Sequence, residues 1–362
     1  MPLKVAVLGN CQGQFYQSLF GCYKDRFEVL RTRLLYTQNE SYTEEFHSTV
    51  DQCDFVVSRH LGPGLRFAPA ITNNLRERLG DRLIVFPNIY YNGYFPDFFV
   101  PYGQGGKAIG GLAGDYHSRT IYQAYKDGLS EREAADAVLS DKMREAYPEA
   151  ASQSRKHLEE VEAETDVAVS DLIVDGKGGV PALHTYNHPT NAVMYALFGR
   201  ILQRMGLDPI EIQGDPLARY ALDTTVLPVF PHLTAGSNLA PSAGSYTWRR
   251  RLPPEQWKPG HTHRAVELDE IVSDAYARFR EAGVPRRQPA TVPPPRKARR
   301  PEAMMIPALE KLSEAWDEMQ RAMQRLQAAA PDEMTEATDA VARAHRAMGD
   351  AVSLLCYAEA GQ

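Results

Sequence analysis

Cysteine is scarce in this chain and scattered. Cys11, Cys22, Cys53 and Cys356 are the only four in 362 residues, with no C-x-x-C pair. That spacing argues against a zinc site and against a disulfide framework. Long apolar runs are missing too, and nothing approaches the roughly 20 residues of a membrane span. The amino terminus, MPLKVAVLGN, carries one lysine and a run too short for the centre of a signal peptide. Basic charge is not in excess. The net charge of −6 gives no reason to expect nucleic acid or an anionic membrane as partner. These absences together predict a soluble, cytoplasmic enzyme with reduced thiols and no metal.

What is present is ordinary in bulk and specific in place. Hydrophobic content of 43% and charged content of 24% suit a globular protein longer than one average domain. The most informative stretch is Leu3 to Gln12, LKVAVLGNCQ. Its apolar run ends at Gly9-Asn10-Cys11-Gln12, and an amphipathic pattern follows at Phe15, Leu19 and Phe20, which predicts a buried strand, a tight turn and a helix. A thiol there sits at the positive end of a helix, where the thiolate is favoured, so a depressed pKa is expected for Cys11. Gly9 permits the turn, Asn10 and Gln12 offer amide donors, and Cys11 is a candidate nucleophile. The alternative is a half-buried small residue at Cys11 and a helix cap at Asn10.

Further strands are predicted over Phe27 to Tyr36, Asp54 to Ser58 and Arg82 to Phe86, with a helix over Ala70 to Leu79. Alternating βα units of this kind predict an α/β fold with a doubly wound, mainly parallel sheet. The glycines between Gly105 and Gly114 fit no nucleotide-binding pattern and are expected in a flexible surface loop. Ser130-Glu131-Arg132-Glu133 is a capping box, and helical, charged sequence runs on to about Glu164. Thr225 to Phe230 is a short apolar run, and a last helix is expected over about Ala265 to Ala282.

Residues 285–301 contain six prolines and six basic residues, with no acid and no aromatic. This is a stiff solvated linker. Beyond it, Leu309, Leu312, Trp316, Met319, Met323 and Leu326 recur at 3,4 spacing. Val341, Ala344, Met348, Ala351 and Leu355 repeat the pattern after Pro331-Asp332. Residues 302–362 therefore read as an antiparallel helical hairpin, packed on the main domain or on a second copy of itself. The expected organisation is an α/β domain over 1–284, the linker, and the hairpin.

His184 to Thr190, HTYNHPT, is the second chemical signal. His188 stands before Pro189-Thr190, the expected start of a helix, where the dipole holds an imidazole neutral, the state of a general base. An unperturbed imidazole would lose that role as pH falls through about 6–7. A loop histidine of purely structural use is the alternative. After the fourth strand, Asn88 and Asn92 are placed to bind a developing oxyanion, Tyr90, Tyr91, Tyr94 and Phe95 to stack on a ring, and Asp97 to accept a sugar hydroxyl or hold a turn. Arg59 and His60 end the third strand, where they suit a phosphate. His184 and His117 are weaker candidates near the cleft.

A nucleophile turn after the first strand and a histidine-proline turn before a late helix resemble the arrangement of SGNH/GDSL hydrolases. Asn10-Cys11 replaces their aspartate-serine, and Thr185 stands where a carboxylate would orient the histidine. GNCQ, PNIYYNGYFPDFF, HSRTIYQAYKDGLSEREA and HTYNHPT resemble, in order over about residues 1–235, the WcbI family of capsular polysaccharide biosynthesis enzymes. That resemblance implies an acetyl-CoA-dependent transferase with a Cys11/His188 site, acting on a carbohydrate hydroxyl. It also implies coenzyme A contacts at Gly9, Arg59, His60 and Tyr91. Asn10, Gln12, Asn88, Asn92 and His184 would then face the oxyanion or the acceptor. A hydrolase using water as acceptor, and a non-catalytic glycan- or nucleotide-binding protein, remain the other two readings.

Overall fold

The structure, a computed structural model, describes residues 1–32, 40–104, 106–140, 147, 149–174, 179–218, 222–234, 239–258, 260–287 and 302–328, and scattered residues between 333 and 347. The described chain divides into two compact units near residue 289.

The first unit is built on four parallel strands. They are β1 (Leu3–Leu8), β2 (Phe27–Leu30), β3 (Phe55–Arg59) and β4 (Leu83–Phe86), in the order β2-β1-β3-β4. Helices α1 (Cys11–Gly21), α2 (Thr43–Asp51) and α3 (Thr72–Leu79) connect them. Strand alternation sends Val5, Val7, Val57 and Ile84 to one face, against Phe15, Leu19 and Phe20 of α1. It sends Ala6, Leu8, Val56 and Val85 to the other, against Phe46 and Val50 of α2 and Leu75 and Leu79 of α3. Both faces are covered, which is why the strands are apolar throughout. The fold is α/β, with helices on both sides of a parallel sheet. Its chain order switches direction between β1 and β3, and the crevice beyond their carboxyl ends is where such sheets bind ligands. Gly9–Gln12 and Arg59 stand there.

Some expectations require correction. Edge strand β2 pairs with β1 only over Phe27–Leu30 and ends there rather than at Tyr36, although 33–36 lie outside the described residues. The glycine-rich segment is tied down rather than loose. Tyr102 bridges Ala108, Gly111 bridges Gly114, and the Leu112 N–H donates to Asp274 Oδ2 at 2.7 Å. Gly105 lies outside the described residues.

Two short antiparallel pairs follow, β5 (Phe98–Phe99) with β6 (His117–Ser118), and β7 (Leu183–Thr185) with β8 (His188–Pro189). Helices α4 (Arg119–Lys126), α5 (Glu131–Leu139), α6 (Ala150–Glu162), α7 (Ser170–Val174) and α8 (Asn191–Arg204) complete the middle of the chain. The capping box at Ser130 and Glu133 forms as expected. A three-stranded sheet then joins β9 (Thr225–Val226), β10 (Trp248–Arg251) and β11 (His263–Val266) in the order β11-β10-β9. Only the first two residues of the Thr225–Phe230 run are strand. The last helix of this unit, α9 (Leu268–Glu281), starts later than expected because the residues before it pair with β10.

In the second unit, α10 (Glu302–Ala328) packs Met319 and Ala322 against Ala344. The seam is only partly the expected one, since Met319 and Ala344 lie in it as expected. Trp316 and Met323 are exposed, whereas Ala315, Met319 and Ala322 are buried, because alanines admit the neighbouring segment more closely than Trp316 would. Met348, Ala351 and Leu355 lie outside the described residues, as does most of the linker. Among the described residues, no helix is long and apolar enough to cross a membrane.

Candidate active site

The turn after β1 is compact because residue 9 has no side chain. A Cβ on Gly9 would lie 3.1 Å from Gly13 Cα, on the first turn of α1. Asn10 is the N-cap of α1, its Oδ1 accepting from the Gln12 N–H at 3.1 Å, and its Nδ2 donates to Asn88 Oδ1 at 3.2 Å. The cap thereby fixes Asn88, from the loop after β4, beside the nucleophile turn. Cys11 opens the helix, half-buried, with Sγ 3.5 Å from His188 Nε2 across 177 residues of sequence. The predicted Cys11–His188 pair is therefore formed in space.

Gln12 has a different role from the one expected. It is fully buried, and its carboxamide donates to the Ile89 carbonyl at 2.9 Å and the Asn187 carbonyl at 3.0 Å while accepting from the Ile89 N–H at 3.1 Å. Both of its N–H groups are committed, so it cannot meet an oxyanion. It clamps the loop after β4 and the β7–β8 turn onto the start of α1. Asn187 is held again through its side chain, where Oδ1 accepts from Tyr116 at 2.7 Å and from Thr185 at 2.9 Å. The Tyr116 ring also stands edge-on to His188, with centroids 6.0 Å apart. Asn187 lies within HTYNHPT and Tyr116 directly before HSRTIYQAYKDGLSEREA, but neither carries a local signal of this role.

The electrostatics overturn the expected thiolate. Burial raises the Cys11 thiol above its ordinary range, and the backbone N–H groups of Gln12 and Cys11 and the charge of Arg59 only partly offset this. Burial likewise pushes His188 down to about 4, against a smaller opposing pull from the Leu222 backbone. The resting pair at neutral pH is thus a neutral thiol beside a neutral imidazole. The helix dipole is real but too weak to outweigh desolvation of the sulfur. His188 Nδ1 is buried with no well-formed hydrogen bond, and no carboxylate orients it among the described residues. A proton on Nδ1, favoured by the Leu222 backbone, leaves the Nε2 lone pair facing the thiol. Iodoacetamide should accordingly label exposed Cys22 about tenfold faster than Cys11 at pH 7, with the Cys11 rate climbing as pH rises. Peptide mapping of the alkylated protein reads this, and faster labelling of Cys11 at pH 7 would restore the thiolate.

Other expected contacts divide. Arg59 reaches the turn, its Cδ 3.7 Å from the position of a Gly9 Cβ, and its Nε is buried with no hydrogen-bond partner. His60 turns away to Glu164, Nε2 to Oε2 3.0 Å. Tyr91 is buried with its ring against Tyr94, Tyr94 donates to the Ile173 carbonyl, and Phe95 is fully buried. These three belong to the core because their loop packs inward, which leaves Tyr90 as the exposed ring of the four. The Asn92 N–H donates to Ser154 Oγ at 3.2 Å, facing α6. Asp97 is fully buried and accepts from Ser118, Thr120 and Tyr147, an organiser of the α4 amino end rather than a sugar contact. His117 is buried against Phe279 with Nε2 on the Ile109 carbonyl at 2.9 Å, outside the cleft. His184 is largely buried, on β7. No cluster of metal-ligating side chains occurs among the described residues.

Comparison with known proteins bears on the fold and the family. No curated protein sequence matches the chain. A solved structure of WcbI, described as a novel polysaccharide biosynthesis enzyme in its native form without a disulfide bond between coenzyme A and a cysteine, shares the fold. Its TM-score is 0.59 at 17% identity, over 78% of this chain and 95% of that one. The sequence profile of the polysaccharide biosynthesis enzyme WcbI matches residues 4–209, which include the Cys11 turn, Arg59, the Gln12 clamp and His188. This chain belongs to the WcbI family of polysaccharide biosynthesis enzymes.

Proposed function

We propose that this protein transfers an acyl group, an acetyl in the simplest case, from coenzyme A to a carbohydrate hydroxyl in surface-polysaccharide synthesis. The observation that carries the reading is the 3.5 Å approach of Cys11 Sγ to His188 Nε2 at the carboxyl edge of the parallel sheet. The coenzyme A named with the related WcbI structure supports the choice of donor.

The residues present fit a thioester. The unpaired Nε of Arg59 beside the turn and the Asn88 carboxamide held by Asn10 are donors suited to a carbonyl oxygen that becomes negative. A thioester supplies an activated acyl carbon with a good leaving thiol. His188 takes a proton through Nε2, from the acceptor hydroxyl or first from Cys11, and a neutral thiol at rest makes this removal part of the reaction rather than a prior step. Gln12 and Asn187 hold the histidine in place while that proton moves.

Arg59 was expected to clamp phosphate, but a position beside the thiol suits the carbonyl end of the donor better, since the pantetheine arm separates sulfur from diphosphate. Arg59→Ala should slow transfer about 10²-fold with both acetyl-CoA and acetyl-pantetheine. The measurement is acceptor-dependent release of free thiol, with a de-O-acetylated bacterial polysaccharide as acceptor. Loss confined to acetyl-CoA would return Arg59 to the phosphates. Release that continues without acceptor would mark a hydrolase.

A further inference from the structure

A cavity of about 730 Å³ opens on the β9–β10–β11 sheet, with neither Cys11 nor His188 in its wall. Its size is that of a small-molecule site. Strand register explains what lines it. Val226, Arg249 and Ala265 form one cross-strand row, and all three face the cavity. The next row on the same face sets Arg251 opposite His263. The two arginines differ in their surroundings. Arg251 is neutralised by Asp223 and donates to the Ala218 carbonyl. The Arg249 side chain is exposed and has neither an ion pair nor a hydrogen bond among the described residues. His261 and His263 lie at the same wall, the latter bonded to the Asp223 carbonyl at 2.8 Å. No Asp or Glu lines the cavity among the described residues.

The other wall belongs to the HTYNHPT hairpin. His184 and Thr190 line the cavity, as do Ser245, whose hydroxyl donates to the Thr247 carbonyl at 3.4 Å, and Thr247, whose hydroxyl donates to Glu267 Oε2 at 3.4 Å. The positive charges of Arg249 and of a protonated His188 both act on the His184 ring, although burial is the main reason its pKa falls to about 3. His184 is therefore a neutral hydrogen-bonding ring that shares the cavity wall with the free guanidinium of Arg249. An unpaired cation, hydroxyl groups, the neutral His184 ring and a short apolar floor at Val226 and Pro228 suit a sugar that carries one acidic group.

We propose that this cavity binds an anionic carbohydrate, with its carboxylate or phosphate on Arg249 and its hydroxyls toward His184, Thr190 and Ser245. That this carbohydrate is the acyl acceptor rests on the transferase reading above.

The test is calorimetric titration of the full chain with D-glucuronate, D-glucose and coenzyme A, in the wild type, Arg249→Gln and Arg249→Lys. Glucuronate should bind at least about tenfold more tightly than glucose, Arg249→Gln should abolish that preference, and Arg249→Lys should retain most of it. Coenzyme A affinity should stay within about twofold in all three proteins, which also shows that they are folded. Equal binding of the two sugars, or no saturable glucuronate binding by the wild type, overturns the site. So does an Arg249→Gln variant that loses coenzyme A affinity while its glucuronate binding is unchanged, because the cavity would then hold the donor's phosphates. A wild type that selects glucuronate through Arg249 but binds no coenzyme A would uphold the site and sink the transferase reading instead.

Discussion

His188→Ala is expected to lower acceptor-dependent transfer about 10²–10⁴-fold, the usual contribution of a positioned acid–base group. Coenzyme A affinity should be nearly unchanged, because a general base acts on the transition state more than on the bound ground state. The pH profile separates this role from a structural one. A base works only while unprotonated, so activity is present above its pKa and lost as pH falls through it. Burial holds His188 at about 4, so the wild-type rate should stay level through pH 6–7, where an ordinary imidazole would already be protonated, and fall only near pH 4–5. Rates of thiol release across this range, at saturating donor, check it. Near-normal turnover by His188→Ala would remove the histidine from the chemistry, and His117, already bonded to Ile109, is badly placed to replace it.

Gln12→Glu is expected to be the most damaging small change in the first unit. The carboxamide donates to two carbonyls, on Ile89 and Asn187, from a fully buried position. A carboxylate there would point oxygen at oxygen, and even a protonated acid could satisfy only one of the two. Leaving buried carbonyls unpaired costs about 1–3 kcal/mol each, and the buried charge adds to it, so a loss of about 3–5 kcal/mol follows. Urea unfolding would read it as a lower midpoint at unchanged slope. Transfer should fall in the surviving folded fraction as well, because Asn187 precedes His188. A loss under about 1 kcal/mol would mean that water or a shifted backbone takes over the clamp.

These two residues illustrate different degrees of legibility. His188 is readable as a candidate because a histidine before Pro-Thr and a helix pattern is a local signal. Gln12 is readable as a polar residue in a site-like turn, but its partners lie 77 and 175 residues away, and no local pattern encodes them. The same holds for Tyr91, Tyr94 and Phe95. Their composition suggests a stacking surface, yet the loop folds inward and buries them. The basic strand around Arg249 carries no local signal for a similar reason, since its free and neutralised arginines differ only through Asp223 on another segment.

By itself the sequence determined the βα alternation, the apolar strands of a sheet covered on both faces, the Gly-Asn-Cys-Gln turn at the end of β1, and the capping box. Each follows from steric and burial preferences acting within about ten residues. Tertiary structure alone decided that Cys11 meets His188, that Gln12 clamps rather than donates, and that His60 faces Glu164. It also set the protonation of the site. A helix amino end argues for a thiolate, but how much water reaches the sulfur depends on segments from the whole first unit. Desolvation grows with everything packed around a charge, whereas the helix end contributes a fixed and modest field, so the pair rests neutral.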